Sequence, residues 1–116
     1  LRSYKPIDWK TISRSLKKTG RLLVVDSGFS TCSIASEIVA KMATEHFRDL
    51  KTAPIKLAMP DAPEPTSFGL TKNFYIDSED IFKSILKLVQ EPNPVLYPKI
   101  KTQYHDIPGN WFNGPF

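Results

Sequence analysis

The chain has 116 residues, 41% hydrophobic and 24% charged, with a formal charge of +4. That is enough for one domain and too little for two, and the composition excludes a disordered or fibrous class. The single cysteine, Cys32, excludes an internal disulfide and a cysteine-only metal site, and it suits a reducing compartment.

Leu1-Arg2-Ser3-Tyr4 reads as the end of a strand whose beginning is missing, and Pro6 marks the turn after it. Asp8 is placed to cap a helix, because its carboxylate can accept from the free amides of a first turn and meets the positive end of the dipole. Ile7 and Ile12 have the spacing of a hydrophobic staple. Trp9, Ile12 and Leu16 recur at helical spacing, and Gly20 suits the left-handed position that ends a helix. Together these signals predict a helix over Trp9–Thr19 with its apolar stripe on a sheet. The other face carries Lys10, Arg14, Lys17 and Lys18, with Arg21 nearby. Such a stripe is either a solvated outer face or a basic surface for an anionic partner. No aromatic interleaves it, as stacking on nucleic acid would require.

Leu22-Leu23-Val24-Val25 follows, four apolar residues ahead of an Asp26-Ser27-Gly28 turn. A run so short and apolar on both sides predicts a fully buried central strand of a parallel sheet. With helical pattern before and after it, the unit is that of an α/β layer architecture. The turn after the strand has one glycine and lacks both the dinucleotide fingerprint and the phosphate-loop lysine. It therefore reads as the entry to the next helix, capped by Ser30, Thr31 or Ser33, with phosphate binding as a weaker alternative.

Ala35, Ile34, Ile38, Val39, Met42, Phe47 and Leu50 predict a long apolar-faced helix over residues 33–50, with His46 in a structural place near its end. Cys32 has no histidine close in sequence and reads as a small buried or half-buried side chain before a nucleophile. Residues 55–59 predict a second short strand. The loop after it holds three prolines, and its Asp61 and Glu64 read as solvated carboxylates rather than an acid–base pair. Residues 70–75 could form a helical turn packing inwards. Asp77 or Ser78 caps a last helix over 79–90, with Glu79 and Asp80 early, Lys83 and Lys87 late, and Ile81, Ile85, Leu88 and Val89 facing inwards. From residue 91 the chain is rich in proline and aromatic residues and reads as a tail packed on a surface, more readily a neighbour's than its own.

Several stretches, in order, resemble a known family. Residues 1–12, LRSYKPIDWKTI, are similar to the LRSLxPLDWxTI stretch of 2-oxo acid dehydrogenase beta subunits of the pyruvate and branched-chain type. Residues 15–25, SLKKTGRLLVV, continue the likeness, as do the helix around 37–47 and the strand and proline loop of 54–75. The resemblance implies the transketolase C-terminal domain over residues 1–90, a three-layer α/β/α sandwich on a mostly parallel sheet, N-terminally truncated here, with 91–116 as a tail. It implies a parent enzyme that decarboxylates a 2-oxo acid oxidatively and passes the acyl group to lipoamide. Thiamin diphosphate and magnesium would be bound outside this chain. The implied partners are an alpha subunit, a second beta subunit and a lipoyl acyltransferase core, in bacterial cytoplasm, mitochondrial matrix or plastid, without nucleic acid or membrane. No family catalytic, cofactor-binding or metal-ligating residue falls in the matched stretch. The chain's own implied role is assembly, with a stand-alone basic binding module as the alternative.

Overall fold

The computed structural model describes residues 1–71 and 74–90. Its elements are α1 (Trp9–Thr19), β1 (Leu23–Phe29), α2 (Ile34–Glu45), β2 (Ile55–Met59), the short α3 (Phe68–Thr71) and α4 (Ser78–Val89), with a 3₁₀ turn at Phe47–Asp49 between α2 and β2. The proline-rich tail of the sequence lies outside the described residues.

α1 begins and ends as its cap residues dictate. Asp8 accepts from the Thr11 amide at 3.0 Å, and Gly20 sits at φ +70° with its N–H on the Leu16 carbonyl. A side chain at Gly20 would be strained in that conformation and would also meet the Lys51 stem. The Thr11 hydroxyl and amide, with Arg14 and Lys10 adding their charge, hold Asp8 below the usual carboxylate range.

β1 and β2 are parallel and adjacent, with α2 as the crossover, so the α/β expectation holds. Leu23, Val24 and Val25 pair with Ile55, Lys56 and Leu57, and Phe29 then pairs with Met59. Four steps on β1 thus match two on β2, which places an irregularity at Asp26-Ser27-Gly28. Those residues had predicted a turn; they lie instead inside the strand as a bulge. The Asp26 carboxylate accepts the Gly28 amide at 2.9 Å and bends the backbone there without ending it.

Leu16 of α1 and Ile38 and Met42 of α2 form the buried core, with Trp9, Ile12, Leu22, Val24, Ile34 and Leu50 packed around it. Leu22 and Val24 belong to one side of the pleat, so α1 and α2 cover that face of the sheet. α4 lies against both strands. It is tied to the start of β1 by Arg21, whose Nε donates to the Leu88 carbonyl at 2.8 Å.

Four expectations need correction. β1 is not fully buried: among the described residues it pairs only with β2, and Val25 and Phe29 are 45% and 51% exposed. Residues 1–4 are irregular and not strand. The helix expected over 33–50 stops at Glu45, where His46 leaves helical geometry at φ −126°, ψ 26° and its Nδ1 meets Asp49 Oδ2 at 3.0 Å; Phe47, expected on the apolar face, is exposed. On α4 only Leu88 is buried, while Ile85 and Val89 are exposed. The turn of 70–75 is half as expected: Thr71 and Phe74 are buried, and Leu70 points out.

Candidate functional site

In an open parallel sheet the carboxyl ends of the strands are the natural place for a site. Here the β1–α2 turn and the β2–α3 loop meet at that end. Thr31 donates its amide to Asp61 Oδ1 at 2.8 Å and its hydroxyl to Oδ2 at 2.6 Å, so one carboxylate clasps the two loops. Those two Thr31 bonds, with the charge of Lys56 behind them, hold Asp61 below its usual range. Glu64, its spacing partner in sequence, accepts instead from the Tyr75 hydroxyl. The two carboxylates are thus engaged separately and form no acid–base pair.

The N-terminus of α2 would be the anion cradle of this end. Two of its free amides are already used. Ser33 caps the helix by accepting the Ser36 amide at 3.1 Å, and Asp26 Oδ2 accepts the Ala35 amide at 3.1 Å. A carboxylate of the chain itself occupies the position a phosphate would take. Lys56, unremarked in the sequence reading, reaches across from β2 to donate to the Ser30 carbonyl and, at 2.8 Å, to Ser36 Oγ. Its signal was a lone cation inside the apolar run Ile55-Lys56-Leu57-Ala58-Met59. The Thr31–Asp61 and Lys56–Ser30–Ser36 bonds make this cluster a structural clasp between loops.

Cys32 is exposed, not half-buried, with φ +55° in the turn before α2. His46 follows the other end of that helix. Twelve helical residues span about 18 Å, so the two cannot form a thiol–imidazole pair. Among the described residues there is no group of three His, Cys, Asp or Glu able to hold a metal ion, and no helix long and apolar enough to cross a membrane.

Among the described residues the sheet has two strands, so each keeps one unpaired edge, and that of β1 is the feature that remains open. A groove of about 270 Å³ runs beside it, from Leu1, Tyr4 and Ile12 past residues 22–26 to Ile34 and Ile38. Its lining is mostly apolar and includes residues 23–26 of β1. A strand edge presents unpaired N–H and C=O groups, and such edges are normally paired or covered. The arrangement can accept an extended segment or a neighbouring surface; Tyr4 and Asp26 are the titratable side chains in its lining, and Asp26 is held by the Gly28 and Ala35 amides.

The profile of the family described as "Transketolase, C-terminal domain" matches residues 1–81. The chain belongs to the transketolase C-terminal domain family. The parallel strands, the open sheet and the covering helices agree with that membership. As a transketolase C-terminal domain, the chain is similar to the "acetoin:2,6-dichlorophenolindophenol oxidoreductase subunit beta" of Bacillus subtilis (strain 168), with 39% identity over 92 residues, 78% of this chain and 27% of the relative. It is also similar to the "pyruvate dehydrogenase E1 component subunit beta" of Cyanidium caldarium, with 32% identity over 88 residues, 76% of this chain and 27% of the relative. The mitochondrial protein of that name from Dictyostelium discoideum is 35% identical over 91 residues, 78% of this chain and 25% of the relative. The chain thus spans about a quarter of the length of these relatives.

Proposed function

We infer that this domain serves assembly: it supplies interface and scaffold to a beta subunit of a thiamin-diphosphate-dependent 2-oxo acid dehydrogenase. The observation that carries the reading is the edge of β1, unpaired among the described residues, with its apolar groove, in a chain related to such subunits. An exposed strand edge beside exposed Val25, Phe29, Leu1 and Tyr4 is costly to leave in water, and a larger assembly covers it.

The parent enzyme would decarboxylate its substrate and hand the acyl group to lipoamide. Its partners would be an alpha subunit, a second beta subunit and the lipoyl acyltransferase core, in a bacterial cytoplasm, a mitochondrion or a plastid. The acetoin enzyme among the relatives favours a second substrate class, a hydroxyketone, for the same assembly role. What supports placing thiamin diphosphate and magnesium outside these residues is that Asp26 accepts an amide at the start of α2, and that Asp61 and Glu64 are engaged singly with Thr31 and Tyr75. In this reading the cofactor belongs to another part of the parent, and no step of its chemistry passes through these side chains.

The test is sedimentation of the chain at micromolar concentration, with and without Val25→Lys, alongside the mass of the native polypeptide captured from its source cells. Self-association weakened by Val25→Lys, and a native product much heavier than 13.2 kDa, are expected. A monodisperse monomer and a native product of 13.2 kDa would overturn the assembly role.

A further inference from the structure

The helices of this domain treat charge differently. On α2, Lys41 pairs with Glu45, and on α4, Lys83 pairs with Glu79 at 2.9 Å. The Glu79 carboxylate and the neighbouring acidic charges raise the Lys83 pKa. α1 carries Lys10, Arg14, Lys17 and Lys18, all exposed, and no acidic residue between Trp9 and Thr19. At 100° per residue these four lie within about a quarter-turn of the helix surface and extend about 12 Å along it. They stand opposite the Trp9–Ile12–Leu16 stripe.

Among the described residues the neighbours offset only part of this charge. Asp8, at its N-terminal end, caps the helix and feels Lys10 and Arg14, a single carboxylate beside four cations. Lys17 shares a shallow groove with Glu45 and Asp49, which are already paired with Lys41 and His46. Arg21, the fifth cation of the stripe in sequence, is drawn away to the Leu88 and Thr19 carbonyls. Like charges at i, i+4, here Lys10 with Arg14 and Arg14 with Lys18, destabilise a helix. A merely solvated face is ordinarily mixed in sign, as α2 and α4 are.

We propose that the outer face of α1 is a docking surface for an acidic segment of a partner protein, with carboxylates matched to Lys10, Arg14, Lys17 and Lys18. Protein is favoured over nucleic acid. Trp9 packs against the core, so α1 offers no exposed ring for a base to stack on. The surface is separate from the β1 edge, so the proposal does not depend on the assembly reading.

The probe is a synthetic, fluorescently labelled helical peptide with glutamates at i, i+4, i+7 and i+8, titrated against the intact 116-residue chain by anisotropy. Affinity should fall at least about fivefold from ~30 to ~200 mM salt, since the contact is exposed and screened. The triple variant Lys10→Glu, Arg14→Glu, Lys18→Glu should weaken binding at least about tenfold, and the Gln versions of the same changes by less. Lys83→Glu with Lys87→Glu on α4 should leave it unchanged. A peptide of the same composition with its glutamates scattered should bind more weakly. Far-UV circular dichroism confirms that each variant is folded, and the Gln versions keep the test decisive if charge reversal unfolds the chain. No binding at low salt, equal loss in the α4 variant, indifference to glutamate placement, or tighter binding of duplex DNA than of the peptide would each overturn the proposal.

Discussion

Leu16 is 2% exposed and is the residue through which α1 enters the core shared with Ile38 and Met42. Leu16→Ala removes three carbons from that contact. At ~0.8 kcal/mol per methylene the lost transfer free energy is about 2.4 kcal/mol. If α1 and α2 close only partly, a residual void of ~40 Å³ at ~24 cal/mol per Å³ adds about 1 kcal/mol. The expected loss is therefore about 3.5 kcal/mol, a large share of the ~5–15 kcal/mol that holds a domain together. The midpoint of thermal unfolding should drop by about 14–28 °C at ~4–8 °C per kcal/mol. Urea unfolding followed by far-UV circular dichroism, at one chain concentration, measures the change, with an unaltered slope against urea. Leu70→Ala, at a side chain 69% exposed, is the control and should stay within ~0.5 kcal/mol. A loss below about 1 kcal/mol for Leu16→Ala would refute the packing of α1 on α2.

Asp77 accepts the Asp80 amide at 2.9 Å while Asp80 accepts the Asp77 amide at 3.2 Å, a reciprocal capping box. Asp77→Ala should destabilise α4 by about 1 kcal/mol, read from urea unfolding, and an unchanged curve would deny the cap its role. Asp61 titrates below its unfolded value of 3.8 because Thr31 donates to its ionised form. Its stabilising contribution is thus complete above the unfolded pKa and is lost as pH falls through the lower, folded one. Between pH ~5 and ~2 the wild type should lose stability more steeply than Asp61→Asn, and parallel profiles would show that the clasp carries no proton linkage.

The parts of the fold legible in sequence are those fixed by local chemistry. Asp8 and Gly20 bracket α1, and Asp77 with Asp80 opens α4, because capping groups act within three or four residues. The apolar period misled where it continued past a backbone break: Phe47 and Leu50 keep helical spacing after Glu45, but His46 turns the chain. Asp26-Ser27-Gly28 has turn chemistry and indeed bends the backbone, yet pairing with β2 resumes at Phe29. The clasp of Thr31, Asp61, Lys56 and Ser30 was illegible because its members are about 30 residues apart, and no local pattern announces a long-range carboxylate–hydroxyl bond. Burial of β1 was overestimated for a related reason. Four apolar residues tell what a strand is suited to, not which neighbours stand beside it.

Arg21 and Leu88 are 67 residues apart, and their hydrogen bond pins a helix that has one buried residue. β1, α2 and β2 hold one another by contacts of much shorter span. The domain therefore has an uneven resistance to opening. In hydrogen–deuterium exchange the amides of α4 should exchange through undocking of that helix alone, well ahead of Val24 and Leu57 at the centre of the ladder. Arg21→Met should quicken exchange in α4 while leaving those strand amides protected, making the guanidinium a latch on the last cooperative unit of the fold.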